Sequence, residues 1–172
     1  QFQSTQRPIS VSSNPYVSIV IPTYNREHFL PLAIESALSQ DSDYNNFEVL
    51  VVDDGSTDNT TLKIKQFKDK RLRYIKKEHS GAPKTRNFSI TEAHGDYILW
   101  LDDYDILEPN AIESHLEVIK SQPSVDVIYG KLQYFDDRTG NFLKVFDPKD
   151  WHVNSSMLIS TLVKGSCIPN PA

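Results

Sequence analysis

The stretch FEVLVVDDGSTDNT, residues 47–60, joins a nearly unbroken apolar run to an acidic turn and a string of small polar residues. A strand that is apolar along both faces has no solvent side, so Phe47 to Val52 belongs inside a parallel sheet covered above and below. Gly55 suits a turn that needs a positive φ. Ser56 or Thr57 suits the cap of a following polar helix, whose inward residues are Leu62 and Phe67.

Outward from this stretch the pattern repeats. VSIVI (17–21) is a second apolar run, ahead of a helix with Phe29, Leu32, Ala33 and Ala37 at helical spacing and Pro31 in its first turn. Leu72 to Ile75 forms a short strand, Pro83 to Ala93 a helix that Pro83 opens, and Tyr97 to Leu101 another strand. A helix begun by Pro109 carries Ile112, Leu116 and Ile119 on one stripe. Val125 to Tyr129 reads as a fifth strand, and residues 131–135 with 142–146 read as an antiparallel pair around DDRTGN.

Strands alternating with helices predict an α/β fold: a Rossmann-like, mostly parallel sheet with helices on both faces, its core at residues 17–135. Residues 1–16, polar and Ser/Pro-bearing, read as a loose leader or linker, and 136–172 as the start of a further region. In such sheets ligands bind beyond the carboxyl ends of the strands. Four turns lie there: Thr23-Tyr24-Asn25-Arg26, Asp53-Asp54-Gly55-Ser56, the loop from Lys76 to Lys84, and Asp102-Asp103-Tyr104-Asp105. The fingerprint Gly-x-Gly-x-x-Gly is absent, which disfavours a nicotinamide or flavin dinucleotide site.

The 172 residues carry 18 Lys+Arg against 23 Asp+Glu, net −5, a balance without the basic face that a nucleic-acid polymer needs. Cys167, the single cysteine, forms no internal disulfide and fits a reducing compartment. No apolar run approaches the roughly 20 residues that span a bilayer, and no signal-peptide layout opens the chain. The expected location is cytoplasmic, with any membrane attachment peripheral and belonging to a longer parent. His28, His79, His94, His115 and His152 show no metal-ligand spacing and read as structural or surface residues.

The chemistry concentrates in GDYILWLDDYDILEP, residues 95–109, where three aspartates fall within four positions at a strand end. Neighbouring carboxylates resist ionising together unless a cation or hydrogen-bond donors compensate them. Asp54, Asp102, Asp103 and Asp105 on one sheet edge suit Mg²⁺ or Mn²⁺, hard ions that take oxygen ligands and leave positions for phosphate. Lys84, Arg86 and Arg26 add positive charge suited to a diphosphate. Taken singly, each turn has a plainer account: a strand-ending turn at 53–57, an exposed helix start at 81–87, and a solvated acidic loop whose Asp105 favours the dipole of the next helix.

Together, VSIVIPTYNRE, FEVLVVDDGSTDNT, GAPKTRN and AHGDYILWLDDYDILEP, in this order and spacing, resemble the nucleotide-binding half of the family-2 glycosyltransferases over residues 17–135. The resemblance implies the GT-A fold and transfer of a sugar from a nucleotide diphosphate donor to an acceptor hydroxyl with inversion, assisted by Mn²⁺ or Mg²⁺. It implies that Pro22, Thr23, Tyr24 and Asn25 cradle the base and ribose, with Tyr24 stacking on the base. Asp54, beside Asp53, would accept a hydrogen bond from uracil. Lys84 and Arg86 would lie near the diphosphate, Asp102 would face the nucleotide, and Asp103 and Asp105 would take the metal. The favoured donor is a UDP-sugar and the acceptor a carbohydrate or glycoconjugate.

Two features depart from that family. Tyr104 stands where the second, metal-ligating aspartate of Leu-Asp-x-Asp-Asp belongs, and a phenol with a pKa of about 10 is a poor ligand. Asp103-Tyr104-Asp105 does form a shifted Asp-x-Asp. The tail after Phe146 offers only Asp147 and Asp150 as carboxylates, in no motif of a general base, so the acceptor half and its base are expected outside this chain. The competing reading is a non-catalytic glycosyltransferase-like module that binds nucleotide or protein. A receiver-like phosphate switch is disfavoured, because nothing in its layout requires the Tyr24, Asp54 and Arg86 segments together.

Overall fold

The computed structural model describes residues 15–40, 45–122, 125–136 and 138–146. Residues 1–14 of the leader expected at 1–16, and the tail with Asp147, Asp150 and Trp151, lie outside the described residues, while the Tyr16 amide donates to Asp96 Oδ2 at 2.8 Å. The chain divides into two compact units, Gln1–Pro123 and Ser124–Ala172.

In the first unit, β1 (Val17–Thr23), α1 (Leu30–Leu38), β2 (Phe47–Asp53), α2 (Thr60–Ile64), β3 (Leu72–Lys76), α3 (Ala82–Glu92), β4 (Tyr97–Trp100) and α4 (Ala111–Ser121) follow one another. The sheet is wholly parallel, in the order β3-β2-β1-β4. Every residue of β2, and every residue of β1 except Pro22, is buried, as continuous apolar runs require of central parallel strands. The flanking β3 and β4 are only partly covered.

Alternation along the strands sends successive side chains to opposite faces. Val20, Leu50 and Val52 pack with Ile75, Ile98 and, from α3, Phe88. Their neighbours Ile19, Ile21, Val49 and Val51 are fully buried on the other face, where α1 brings Leu30, Ala33, Ile34 and Ala37 against β1 and β2. The register sets Thr23 opposite Asp53 and Asp53 opposite Lys76, so the turns after β1, β2 and β3 emerge side by side. The acidic turn after β4 is anchored through α1: the Leu107 amide donates to Ser36 Oγ at 3.1 Å, and the Ile112 amide to Gln40 Oε1 at 3.1 Å.

Two expectations are corrected here. Leu62 does not face inward; it is 61% exposed. The helix α2 is a single short turn whose buried residues, Thr60 and Ile64, stand four apart on one face, which leaves Leu62 on the opposite side. Val125 to Tyr129 forms no strand, because a short run becomes a strand only when another edge accepts its hydrogen bonds, and no described strand pairs with it. The second unit does contain the expected antiparallel pair, β5 (Leu132–Phe135) with β6 (Phe142–Phe146).

A polar network fastens the amino end of the sheet. Buried Glu48 accepts from Ser18 Oγ at 2.7 Å, Arg73 Nη1 at 2.7 Å and the His94 amide at 2.8 Å, and Ser18 Oγ accepts from the Gly95 amide at 2.9 Å. Strands β1, β2 and β3 and the entry to β4 are thereby tied to one carboxylate. At Gly95 a Cβ would lie 2.5 Å from the Ser18 nitrogen and 2.7 Å from the Tyr97 oxygen, so the close approach requires glycine.

Gly95→Ala is expected to cost about 1–3 kcal/mol in urea unfolding, because backbone rather than a flexible side chain must give way. Burial alone would raise the Glu48 carboxyl, but hydrogen bonds from Arg73, Ser18 and His94 outweigh it and hold the group below its ordinary 4.5. A depressed carboxylate contributes stability that is complete above its unfolded value and lost as pH falls through the folded one. The stability gap between wild type and Glu48→Gln should therefore be widest near neutral pH and close on acidification below the ordinary value.

Candidate functional site

The first two turns lock together through Asn25. Its backbone is left-handed, with φ 54°, a conformation asparagine tolerates better than most residues. Its amide donates to Ser56 Oγ at 2.9 Å, and its Oδ1 accepts from the Thr57 amide at 2.8 Å. The Arg26 amide donates to Thr60 Oγ1 at 3.2 Å. Ser56 and Thr57 are thus spent on this junction, and α2 starts later, after Asn59. Pro22 is half-buried and Thr23 buried at the end of β1, while the Tyr24 ring is 41% exposed.

The adjacent acids Asp53 and Asp54 do different work. Asp53, fully buried, accepts from the Ser56 amide at 2.7 Å and from the Tyr74 hydroxyl at 2.6 Å, so its carboxylate builds the turn. Burial and Asp53 together push the Tyr74 phenol up to about 12. Asp54 reaches the other way and gathers the loop between β3 and α3. It accepts from Lys77 Nζ, from the Ser80 amide at 3.0 Å and from the Gly81 amide at 2.8 Å. Burial would raise this carboxyl, but Lys77, Thr85 and the two amides hold it far below the usual carboxylate range.

Gly55 permits the loop's approach: with φ 82°, a Cβ there would lie 3.0 Å from the His79 nitrogen. His79, set aside by the sequence because it lacks metal spacing, is central here. Its Nδ1 lies 2.9 Å from Asp54 Oδ2 and 3.1 Å from the Asp54 carbonyl oxygen; both are acceptors, so Nδ1 carries the proton. Its ring stacks on Tyr24 with centroids 4.3 Å apart and planes tilted by 31°. The available signal was its place two residues before Gly81, in a loop that must bring donors to the acid ending β2.

At the acidic turn each arginine takes one aspartate. Arg86 pairs with Asp102 and lies 5.2 Å from the Trp100 ring centroid. Arg26 Nε is 3.5 Å from buried Asp103, and its guanidinium stands 6.0 Å from the Tyr104 ring centroid. Burial raises Asp103, and the neighbouring Thr23 hydroxyl, Arg26 and Tyr24 amide oppose without cancelling it. Asp105 is pushed up to about 6 by burial and by Asp102 and Asp103. Tyr104, driven up to about 12 by burial and by Asp102 and Asp105, is a neutral phenol that donates to Asp102 Oδ2 at 3.3 Å. Lys84 is exposed in the first turn of α3.

Among the described residues, no three histidine, cysteine, aspartate or glutamate side chains gather into a metal group. A closed protein cage for the ion is therefore not what these residues build. Hard divalent ions at phosphate sites are commonly held by one or two carboxylates, with phosphate and water completing the shell. Asp103 and Asp105 fit that open kind of site, and beside Asp103 the buried Thr23 Oγ1 makes no well-formed hydrogen bond of its own. No helix among the described residues is long and apolar enough to cross a membrane.

The pattern of Glycosyl transferase family 2 matches residues 18–162. An uncharacterized glycosyltransferase of Rickettsia conorii is 37% identical over 134 residues, covering 77% of this chain and 22% of that protein. The Escherichia coli UDP-Glc:alpha-D-GlcNAc-diphosphoundecaprenol beta-1,3-glucosyltransferase WfgD is 35% identical over 124 residues, 72% of this chain and 48% of that protein. The structure of S. aureus TarS 1–349 in complex with UDP-GlcNAc aligns with a TM-score of 0.59 and 31% identity over 63% of this chain and 32% of that one. The chain thus spans less than half the length of each of these relatives. By its matched sequence and by a parallel sheet flanked by helices like that of the GT-A glycosyltransferases, this chain belongs to glycosyl transferase family 2.

Proposed function

We propose that this chain binds the nucleotide diphosphate donor, a UDP-sugar, of an inverting glycosyltransferase. The observation that carries the reading is the pairing, at one end of the sheet, of an exposed aromatic face, Tyr24, with a carboxylate held ionised, Asp54. A flat base that presents an N–H needs those two partners. Arg26 and Arg86 at the neighbouring acidic turn, each paired with an aspartate in this structure, bring the guanidinium donors that a diphosphate needs. The names of WfgD and of the TarS complex, which specify UDP-Glc and UDP-GlcNAc, support uridine as the nucleoside.

In this reading the acceptor hydroxyl attacks the anomeric carbon opposite the nucleotide, the bond from that carbon to the diphosphate oxygen breaks, and configuration inverts. Negative charge grows on the departing diphosphate, where Arg86 and Arg26 neutralise it. A divalent ion held by Asp103 and Asp105 would supply Lewis-acid stabilisation of the same oxygens. Asp54 and Tyr24 fix the base, so that the sugar is presented in one orientation. The acceptor's proton passes to a base outside the described residues. The neutral phenol of Tyr104, which donates to Asp102 and does not ligate, favours a second reading: a nucleotide-binding module without transfer.

Calorimetric titration of UDP and of uridine separates the parts. Arg86→Ala should weaken UDP about tenfold or more, the worth of a charge-assisted hydrogen bond, and leave uridine unchanged. Tyr24→Ala should weaken both, by about tenfold for one lost stacking partner. Failure of the wild-type chain to bind UDP at millimolar concentration would sink the donor-site reading.

Thermal unfolding in the presence of UDP, with Mn²⁺ and then with chelator, tests the metal. A rise in Tm that needs Mn²⁺ and is lost in Asp105→Ala supports the shifted Asp103–Asp105 pair. No rise in wild type, with a rise in Tyr104→Asp, puts the non-catalytic module ahead.

A further inference from the structure

We infer that the His79 imidazole occupies the nucleobase's own place, so that a donor binds only when this ring leaves; the inference rests on the donor-site reading above. His79 stacks on Tyr24 with centroids 4.3 Å apart, donates Nδ1–H to the Asp54 carbonyl oxygen at 3.1 Å, and holds Nδ1 2.9 Å from Asp54 Oδ2. A uracil ring is likewise flat and carries one imide N–H between two carbonyls. Against Tyr24 and Asp54 it would make the same two contacts. At the observed separation no third ring enters between Tyr24 and His79, so base and imidazole compete for one position.

The construction allows the exchange without unfolding the loop. Asp54 is anchored by Lys77 and by the Ser80 and Gly81 amides, and these bonds do not involve the His79 side chain. When the imidazole leaves, the loop stays pinned and the space beside Asp54 Oδ2 and the Tyr24 face opens. The His79 side chain is 55% exposed, against 4% for Asp54, so rotation about its own side-chain bonds into solvent is enough. The His79 backbone stays packed on Gly55 throughout.

The consequence is a reduced apparent affinity. If the ring-out state is the minor one, the dissociation constant rises in inverse proportion to its population. His79 is then a specificity-determining residue that makes the base earn its place: a ligand that stacks on Tyr24 but cannot donate to Asp54 does not replace both contacts of the imidazole.

The test is calorimetric titration of UDP into the full chain as wild type, His79→Ala and His79→Phe, with Tyr24→Ala as a control for the base site. His79→Ala is expected to bind UDP about three- to tenfold more tightly, by removal of the competing state. In wild-type protein labelled at histidine, the His79 ring resonance, assigned by its loss in His79→Phe, is expected to shift on saturation with UDP as the ring leaves Tyr24. His79→Phe, which keeps a ring on Tyr24 without an N–H, supplies a second affinity reading if the alanine variant fails to fold. Weaker UDP binding by His79→Ala, with Tyr24→Ala also weakened, would overturn the inference and make His79 a direct base contact while the donor-site reading stood. Unchanged affinity together with an unmoved resonance would overturn it as well. No UDP binding by wild type, His79→Ala or His79→Phe would bring down the donor-site reading and this inference with it.

Discussion

A carboxylate with 4% of its side chain exposed has to be met by donors, and the shape of this site follows from how Asp54 meets that demand. Its partners come from one short loop, so satisfying the charge also fixes the path from β3 to α3. Gly55 and Gly81, both at positive φ, let the loop close on the acid and turn into the helix. Were Asp54 neutral, nothing would oblige Ser80, Gly81 and Lys77 to converge. The aromatic pair of Tyr24 and His79 would then lose the wall it stands on.

The two ends of the sheet use buried carboxylates for different ends. Glu48, at the amino end, accepts hydrogen bonds from β1, from β3 and from the chain entering β4, with the exposed His94 ring 3.6 Å from its carboxylate. Such a network rigidifies the strands that it joins. Asp54, at the carboxyl end, is equally buried, yet one of its partners is a half-exposed ring that can leave.

The fold was legible because β1 and β2 are apolar on both faces, which admits one kind of sheet, and because the helical stripe of α4 is unambiguous; in α1 the buried face is Leu30, Ala33, Ile34 and Ala37, and Phe29 and Leu32 of the expected spacing are exposed. Where periodicity was short it misled. A one-turn helix has too few residues to declare a face, so Leu62 was placed inward. Val125 to Tyr129 has strand composition, yet no strand among the described residues takes it into a sheet. The site was legible as four turns, since topology alone brings strand ends together. The roles within them were not, because they depend on which donor reaches which acid. Nothing in the letters separates Asp53, which builds its turn, from Asp54, which gathers the next loop. Nor does the spacing of histidines report a ring that acts through one N–H and a stack.

Charge bookkeeping at the acidic turn gives Tyr104 its meaning. Asp102 and Asp103 each face an arginine, while burial, with Asp102 and Asp103 beside it, pushes the Asp105 carboxyl up. With an aspartate at 104 the turn would hold four acids against two arginines, and an arriving diphosphate would meet a surplus that only a multivalent cation could offset. With a neutral phenol there the surplus falls by one, and the phenol's own hydrogen bond to Asp102 spreads part of what remains. On the donor-site reading, a phenol at 104 therefore offers a poor metal ligand and, at the same site, lessens the electrostatic need for a metal. The two effects have one cause, so the strength of metal binding and the dependence of donor binding on metal should weaken together.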